Sequence, residues 1–419
     1  MKIVHCADVH LDSPLHGLER YEGAPVDEMR AATRRAFANV VDLCADEGAK
    51  GLLLAGDLYD GDWRDFGTGL FFAAQMVRLR DLGVQVFVVR GNHDAASRIT
   101  RSLRLPDNVR TFSSRRPETQ VVEEIGLAVH GQSFPHGEVA DDLSARYPDP
   151  VPGLVNIGLL HTSADGRPGH DAYAPCTVSG LVAKRYHYWA LGHVHAREVL
   201  HERPWIVFPG NLQGRHARET GPKGCTLVTV EDGGITRVEH RPLDVVRWAV
   251  VGIDATGCRT EADVLERIAG ALRATMREAD GRVCAVRLEI SGECRAHEAL
   301  ANRRDAWIAE ARATATDVGS GLVWLEKVMD ATRPEVDVAR LAAESGPLGE
   351  LAKEIARLRD DPARVEALAA ALADFGARLP AEVREGPDAI RLDADGVRAA
   401  LADIESLLLP RLVGRGAGQ

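Results

Sequence analysis

Five apolar runs in the first half of the chain end alike, with aspartate, asparagine or histidine side chains directly after or at the end of the run. The five segments are KIVHCADVH, GLLLAGDLYD, VFVVRGNHD, IGLLH and ALGHVH. Short apolar runs bounded by glycine and polar residues are typical of buried strands. Open α/β sheets bind ligands outside the carboxyl ends of their strands, so we predict that these side chains share one cleft.

Helical patterns separate the first three runs. We predict helices over about residues 29–47 and 66–82, and this alternation of strand and helix indicates an α/β domain. Further runs add strands, and CTLVTVEDGGITRVEHRP reads as a hairpin that turns at residues 232–234. We therefore expect an α/β (α+β) fold in which a mixed sheet or stacked sheets are flanked by helices.

The length of 419 residues exceeds what one hydrophobic core usually organises, which predicts two or three domains. The first is expected over residues 1–245, where fourteen of the fifteen histidines lie. A β-α-β-α-β pattern predicts a small second domain over residues 246–332, with helices near 261–277 and 297–312. Residues 333–419 carry leucine stripes at helical spacing, which predicts a helical region. The stripes form either a small local bundle or a surface that docks a partner helix, and we prefer docking.

Composition limits the compartment. Apolar residues make up 45% of the chain, but no apolar stretch approaches the ~18 residues of a membrane span. The start lacks the charged and apolar segments of an export signal. The seven cysteines are scattered without a CxxC pair, which indicates neither a disulfide framework nor a zinc knuckle. We expect a cytoplasmic protein.

Charge gives no support to a polyanionic partner. The net charge is -11, whereas a nucleic-acid backbone is normally met by a basic surface. Recognition of nucleic acid would have to be local. Arg98, Arg101 and Arg104 recur every third residue after GNHD; a solvated helix face is the preferred interpretation, and phosphate contact is the alternative.

The five clusters offer more donors than one metal ion can use. Asp8 and His10 are two residues apart on an extended segment and therefore point the same way. Two ions ~3.5–4 Å apart that share a carboxylate would use the whole set. Mixed nitrogen and oxygen donors favour Mn, Fe or Zn over Ca or Mg. The donors are Asp8, His10, Asp57, Asn92, His93, Asp94, His161, His193 and His195.

The ordered set D-x-H, GDxxD, GNHD, H and GHxH resembles that of the calcineurin-like metallophosphoesterases. HCADVHLDSP, GDLYD, GNHD, GHVH and PGNLQGRH are similar to motifs of the bacterial DNA repair exonucleases of the SbcD type, particularly the YhaO-like branch. The motifs cover residues 1 to about 216. The resemblance implies a four-layer metallophosphoesterase sandwich, and the downstream module is similar in kind to the capping domain of that family.

The resemblance also implies roles for individual residues. The first metal would be held by Asp8, His10 and His195, the second by Asn92, His161 and His193, and Asp57 would bridge the two. His93 would stabilise the transition state or protonate the leaving oxygen. Asp60 would fix an imidazole, and His216 of PGNLQGRH is a candidate for the wall of the substrate cleft.

The function implied by the resemblance is a two-metal phosphodiesterase, a Mn-dependent DNA exonuclease or endonuclease of DNA repair. Two Mn²⁺ per chain are expected, with Fe, Zn or Mg as substitutes. The implied partners are DNA, a second copy of the chain and a coiled-coil ATPase of the SbcC or YhaN kind, since this chain has no G-x-x-x-x-G-K-[ST] motif. Two alternatives stay open: a phosphoesterase for small phosphodiesters or cyclic nucleotides, and a scaffold with a vestigial metal site.

Overall fold

The computed structural model describes residues 1–13, 25–60, 66–96, 104–166, 173–335, 338–343, 346–379 and 391–416. The chain forms two compact units. The first consists of Met1–Val250, Ala274–Arg287 and Gly319–Glu326, and the second of Val251–Arg273, Leu288–Val318 and Lys327–Gln419. The domain boundaries predicted after residues 245 and 332 stay predictions.

Strands dominate the first 254 residues and helices the last 90 or so of the described chain. The strands are β1 (Lys2–Cys6), β2 (Gly51–Ala55), β3 (Gln85–Val89), β4 (Val109–Thr111), β5 (Glu118–Val122), β6 (Leu127–Gly131), β7 (Val155–His161), β8 (Tyr188–Gly192), β9 (Glu198–Glu202), β10 (Trp205–Phe208), β11 (Gly224–Glu231), β12 (Gly234–Pro242), β13 (Val246–Asp254), β14 (Val283–Cys294) and β15 (Val323–Pro334). The α-helices are α1 (Val26–Asp46), α2 (Gly67–Asp81), α3 (Asn92–Ala96), α4 (Val178–Ala183), α5 (Glu261–Ala279), α6 (His297–Asn302), α7 (Arg304–Gly319), α8 (Val338–Ala343), α9 (Pro347–Asp360), α10 (Pro362–Ala377) and α11 (Ala394–Gly416).

The first six-stranded sheet has the order β12-β11-β1-β2-β3-β4. Strands β1 to β4 run parallel, and β11 pairs antiparallel with β1. Side chains of β1 alternate between two cores: Val4 packs in the core formed with α1 and α2, and Ile3 packs in the core between the sheets. Because both faces are buried, β1, β2 and β3 are apolar at most of their positions.

The second six-stranded sheet has the order β5-β6-β7-β8-β10-β9. Its inner side chains, such as Ile157 and Tyr188, pack with those of the first sheet, and its outer side chains pack with Leu181 of α4. The layers are therefore helix, sheet, sheet and helix. The predicted α/β fold of stacked mixed sheets with flanking helices is confirmed.

The predicted hairpin consists of β11 and β12. Its turn uses Asp232 at φ 51° and Gly233 at φ 76°. Positive φ at both central residues is the requirement of the type I′ turn, which matches the twist of a hairpin. Aspartate followed by glycine meets it at low steric cost.

Downstream, β13, β14 and β15 form a three-stranded sheet with β14 in the centre. The helix predicted near 261–277 is α5. The helix predicted near 297–312 is two helices, because the chain leaves helical geometry at Arg303, where φ is -117° and ψ is 31°. The second of these helices continues to Gly319.

Helices α8 to α11 occupy the C-terminal region and bury small apolar clusters. Leu341, Ile355 and Leu409 lie in one cluster, and Val365 and Leu401 lie in another. Helices α9 and α10 both begin with proline, whose missing N–H costs nothing at that position. Across the described ranges, none of the helices combines the length and apolar character that a membrane crossing requires.

Candidate metal centre

Parallel strands bring the predicted donors to one region of the first unit. Strands β1, β2 and β3 are followed by the Asp8, Asp57 and Asn92 segments, and the neighbouring strands β7 and β8 end at His161 and just before His193. Strands that run parallel deliver their carboxyl ends to the same edge. The two sheets face each other, so both sets of strand ends reach the same cleft.

The backbone turns sharply where the strands end. Positive φ angles occur at Asp8 (49°), His10 (46°), Asp57 (50°) and His193 (107°). A non-glycine residue in such a conformation costs on the order of 1–3 kcal/mol and is characteristic of functional sites. Hydrogen bonds hold the turns, since the Asp8 and His10 amides donate to the carbonyls of Gly56 (3.1 Å) and Asp57 (3.0 Å).

Asp8, His10 and His195 form the first group of donors, with one ligand atom of each within 4.8 Å of the others. Nε2 of His10 lies 3.3 Å from Nε2 of His195. Nδ1 of His195 lies 2.7 Å from Oε1 of Glu219 and donates its proton there, which leaves the lone pair on Nε2. Two imidazole nitrogens that face each other so closely are suited to a shared cation.

Asp8, Asp57 and His161 form the second group, also within 4.8 Å. Nδ1 of His161 donates to the Ala55 carbonyl at 2.9 Å, so Nε2 faces two acceptors, Oδ1 of Asn92 at 2.9 Å and Oδ2 of Asp57 at 3.4 Å. A lone pair directed at two oxygens is repulsive unless a proton or a cation lies between them. The donor set therefore fits a metal ion, and Asp8 belongs to both groups.

The charges of the second group depend on each other. Burial acts to lower the pKa of His161, but the nearby carboxylates of Asp57 and Asp8 outweigh it and raise the pKa to about 9. Burial acts to raise the pKa of Asp57, and the adjacent His161 outweighs it and lowers that pKa. The site thus keeps a buried carboxylate ionised only beside a positive charge.

Glycine is required beside this group. A Cβ at position 91 would lie 2.3 Å from Oδ1 of Asp57 and 2.8 Å from the His161 ring. Contacts this short do not occur, so a side chain here would displace both donors. The glycine of GNHD therefore allows the backbone after β3 to approach Asp57 and His161 closely.

Asn92 and His193 complete the predicted set. Asn92 begins α3 and contacts His161, and the His193 ring centre lies 5.2 Å from that of His161. The His193 amide donates to both Asp8 oxygens, at 3.1 and 3.0 Å. The structure thus brings together all seven predicted ligands. Which ion each would hold, and the bridging role of Asp57, stay predictions.

Asp60 links His93 to the centre. Its Oδ1 lies 3.0 Å from Nδ1 of His93 and 3.4 Å from Nδ1 of His10. The geometry at His10 is not that of a hydrogen bond, and Nδ1 of His10 has no hydrogen-bond partner among the described residues. The hydrogen bond to Asp60 raises the pKa of His93, against the effect of burial. The His93 side chain is 45% exposed, whereas that of His10 is 1% exposed. Of these two histidines, His93 is therefore the one that can meet a substrate.

Glu219 was not predicted from the sequence. Besides His195, it accepts hydrogen bonds from the Arg215 amide at 2.7 Å and the Asn211 side chain at 2.9 Å. Burial acts to raise its pKa, but His195 and Arg215 outweigh burial and lower it. Carboxylates that orient metal-binding histidines are common. The PGNLQGRH motif pointed to this loop, but Glu219 lies three residues beyond it.

Asp94 has a structural role that the sequence did not indicate. Its buried carboxylate accepts backbone hydrogen bonds from Leu58 (3.2 Å), Tyr59 (2.9 Å) and Gly91 (3.2 Å). It thereby joins the loop after β2 to the loop after β3. Burial and the charge of Asp57 raise its pKa to about 7.

The remaining predicted residues lie at the edge of the site or outside the described residues. His216 is exposed, with Nε2 3.6 Å from Oε1 of Glu219. Arg98 and Arg101 lie outside the described residues, and Arg104 is exposed. His216 therefore stays a candidate for the cleft wall.

Comparison with known families identifies two segments. Residues 1–197 match the calcineurin-like phosphoesterase family. Residues 248–333 match the middle domain of the metallophosphoesterase YhaO.

Several individual proteins are similar to this chain. The uncharacterized metallophosphoesterase YhaO of Bacillus subtilis is 34% identical over 296 residues, which cover 70% of this chain and 72% of YhaO. The DNA double-strand break repair protein Mre11 of Methanopyrus kandleri is 26% identical, covering 64% of this chain and 62% of that protein. Mre11 of Haloferax volcanii is 25% identical, covering 70% and 62%. The chain thus spans less than two thirds of these two Mre11 proteins.

Proposed function

Because the chain belongs to the calcineurin-like metallophosphoesterases and is a relative of YhaO, we propose that it is a two-metal phosphodiesterase that cleaves DNA. One observation carries the proposal: two groups of three donors, all buried except the half-buried His195, adjoin each other at the carboxylate of Asp8. Two cations that share a ligand are typical of enzymes that cleave phosphate esters. The family that the motifs resemble is the family to which the chain belongs.

We assign the donors as the family resemblance implies. The first ion would be held by Asp8, His10 and His195, the second by Asn92, His161 and His193, and both by Asp57. When bound, the two ions would supply positive charge to the phosphate under attack and activate water as the nucleophile. The mixture of imidazole, amide and carboxylate donors favours Mn²⁺, with Fe, Zn or Mg as substitutes.

His93 and Asp60 would handle the proton of the leaving group. Asp60 lies 3.0 Å from Nδ1 of His93, and the hydrogen bond between them raises the pKa of the imidazole. A histidine held in this way keeps the proton on Nε2 up to a higher pH than an imidazole without the carboxylate does. His93 would donate that proton to the leaving oxygen, because it is more exposed than the predicted ligands.

DNA is proposed as the substrate for two reasons. The motif set resembles that of SbcD-type DNA repair nucleases, and relatives of the chain include proteins named for DNA double-strand break repair. We propose that the chain acts in the cytoplasm, as a homodimer, with a coiled-coil ATPase of the SbcC or YhaN kind. Residues 1–245 would form the nuclease domain, 246–332 a capping domain and 333–419 the region that docks the partner.

Exposed apolar side chains support docking by the C-terminal region. Phe375 of α10 and Ile404 and Leu408 of α11 are exposed although they are large and apolar. Apolar positions on helices that do not pack in the chain's own clusters are typical of surfaces that bind a partner helix.

A phosphodiesterase for small molecules is the second candidate, and the net charge of -11 favours it. The test is incubation of the purified protein with Mn²⁺ and linear plasmid, a cyclic dinucleotide or a chromogenic phosphodiester, each with an EDTA control. We expect degradation of the linear plasmid that EDTA abolishes. Hydrolysis of the cyclic dinucleotide alone would favour the second candidate. No hydrolysis of any substrate would indicate a vestigial site.

A further inference from the structure

A cavity lies next to the candidate metal centre. It has a volume of about 410 Å³ and is lined by Arg90, Ala95, Ser114, Phe134 and Pro135. This volume falls within the range of small-molecule sites, roughly 300–1,000 Å³. The cavity is separate from the groups that would hold metal, because none of its described lining residues is a predicted ligand.

Arg90 supplies the charge of this cavity. Its Nε is buried and has no hydrogen-bond partner among the described residues, and no acidic residue is present in the described lining. A buried guanidinium N–H without an acceptor costs free energy, so such a group is expected to meet an acceptor from outside the protein. An anion would provide both the acceptor and the opposite charge.

The backbone of Arg90 is held on both sides. Its amide donates to the Ser133 hydroxyl at 3.0 Å, and its carbonyl accepts from the Phe134 amide at 2.9 Å. A guanidinium that extends from a fixed backbone loses less entropy on binding a ligand. Its planar fork can bind two oxygens of one phosphate.

The cavity shares walls with the metal centre. Phe134 lines the cavity and also contacts His161, with ring centres 5.3 Å apart at 85°. Ala95 lies on α3, the helix that begins at the predicted ligand Asn92. Arg90 itself is followed directly by Gly91, which packs against Asp57. The cavity and the proposed centre therefore have Phe134 and the segment that carries Arg90 and Ala95 in common.

We propose that Arg90 and its cavity bind a second phosphate group of the substrate, adjacent to the phosphate that is hydrolysed. Ala95, Phe134 and Pro135 would contact the attached sugar. The proposal rests on the proposed phosphodiesterase function and narrows it to substrates with at least two phosphates, such as oligonucleotides and dinucleotides with a terminal phosphate. The chain then recognises a polynucleotide locally, despite its acidic net charge.

The test compares thymidine dinucleotides phosphorylated at the 5′ end, at the 3′ end or at neither end. For the wild type we expect a lower KM for one of the phosphorylated forms. Arg90→Gln should raise that KM about 10-fold or more and leave kcat/KM for the unphosphorylated form within about 2-fold. The KM of Arg90→Lys for that form should lie between those of the wild type and Arg90→Gln, because lysine keeps the positive charge but lacks the planar guanidinium. Arg185→Gln is the matched control, because the substitution removes the same charge from an exposed residue that is not among the described lining residues of this cavity.

Two outcomes would overturn the proposal: equal kinetics of wild type and Arg90→Gln on all three substrates, or an equal loss on all three. Binding in EDTA separates this result from the failure of the proposed function. The Nε–H NMR signal of Arg90, assigned by its loss in Arg90→Gln, should shift with the phosphorylated dinucleotide and not with the unphosphorylated one. If no substrate is hydrolysed, a shift still supports the anion site, and no shift rejects it.

Discussion

At the residue scale, Glu219 decides which nitrogen of His195 is available to a metal. The carboxylate accepts a hydrogen bond from Nδ1–H of His195 at 2.7 Å, and Nε2 then faces His10. Glu219→Gln keeps the shape but removes the charge that polarises the imidazole. We expect Mn²⁺ affinity to fall about 10- to 100-fold, as measured by titration calorimetry.

The matched control for this variant is Glu202→Gln, an exposed glutamate on β9. It changes the net charge equally without touching the site. Unchanged Mn²⁺ affinity in Glu219→Gln would show that His195 is not a ligand or does not need this orientation.

His93 should act in turnover and not in metal binding. It is more exposed than the donors and is held by Asp60. His93→Ala should therefore lower kcat about 10²- to 10⁴-fold on a chromogenic phosphodiester while two Mn²⁺ per chain still bind. A variant that lost an ion would contradict the assigned role.

His5 makes stability depend on pH away from the centre. Its ring is buried, with Nδ1 2.9 Å from the Tyr188 hydroxyl and Nε2 3.1 Å from the Leu191 carbonyl. Burial lowers the pKa of His5 to about 3. In the unfolded chain His5 becomes protonated as the pH falls below about 6.5, whereas in the folded chain it stays neutral until about pH 3. The contribution of His5 to the free energy of unfolding is therefore present above pH 6.5 and is lost as the pH drops toward 3.

The loss attributable to His5 is about 2 kcal/mol at pH 5. Urea unfolding of the wild type and His5→Gln at pH 5 and pH 7.5 measures it as the difference in pH dependence. The variant should be less stable at pH 7.5 but should lose less on acidification. His136→Gln, at an exposed position, is the control; parallel curves for wild type and His5→Gln would contradict the prediction.

At the scale of elements, the strands were predictable and their contacts were not. The runs at β1, β2 and β3 are apolar at every buried position except His5, which identifies a strand but not which face meets the helices. The break at Arg303 leaves no proline or glycine signal in the sequence. The ligand clusters were found because their residue types are distinctive, whereas Glu219 and Asp94 act through contacts between distant segments.

The loop after β3 contains a position that tolerates no side chain. A Cβ at residue 91 would lie 2.3 Å from Oδ1 of Asp57, whereas a Cβ at Gly252 on β13 would meet nothing within 4 Å. Gly91→Ala should lower the free energy of unfolding by about 1–3 kcal/mol and weaken Mn²⁺ binding, because Asp57 must move. Gly252→Ala should change neither. Urea unfolding and calorimetry on both variants test this, and normal Mn²⁺ affinity in Gly91→Ala would refute it.

At the scale of the whole molecule, the acidic centre should make stability depend on metal. Buried carboxylates at Asp8 and Asp57 lie close together, and bound cations would offset their repulsion. At a Mn²⁺ concentration 100 times the Kd, binding adds about 2.7 kcal/mol to the stability of the folded chain. We expect Tm to rise by about 3–5 °C over the EDTA-treated protein, because the entropy of unfolding grows with chain length.

Asp57→Asn provides the matching variant, since the proposed assignment makes Asp57 a ligand of both ions. It should lose most of the Mn²⁺-dependent rise in Tm, whereas His10→Gln should lose only part. Calorimetric scans with Mn²⁺ and with EDTA distinguish them. An Asp57→Asn protein that Mn²⁺ stabilises as strongly as the wild type would rule out Asp57 as a shared ligand.

The carboxylate of Asp94 has a consequence for the geometry of the entire cleft. Three main-chain amides from two separate connections converge on it, at Leu58, Tyr59 and Gly91. Asp57 precedes Leu58 and Asn92 follows Gly91, so hydrogen bonds to one carboxylate fix the positions of both residues. The distance between Asp57 and Asn92 is thus set by the folded chain before a cation binds. An ion whose radius does not suit this distance would bind with less favourable geometry.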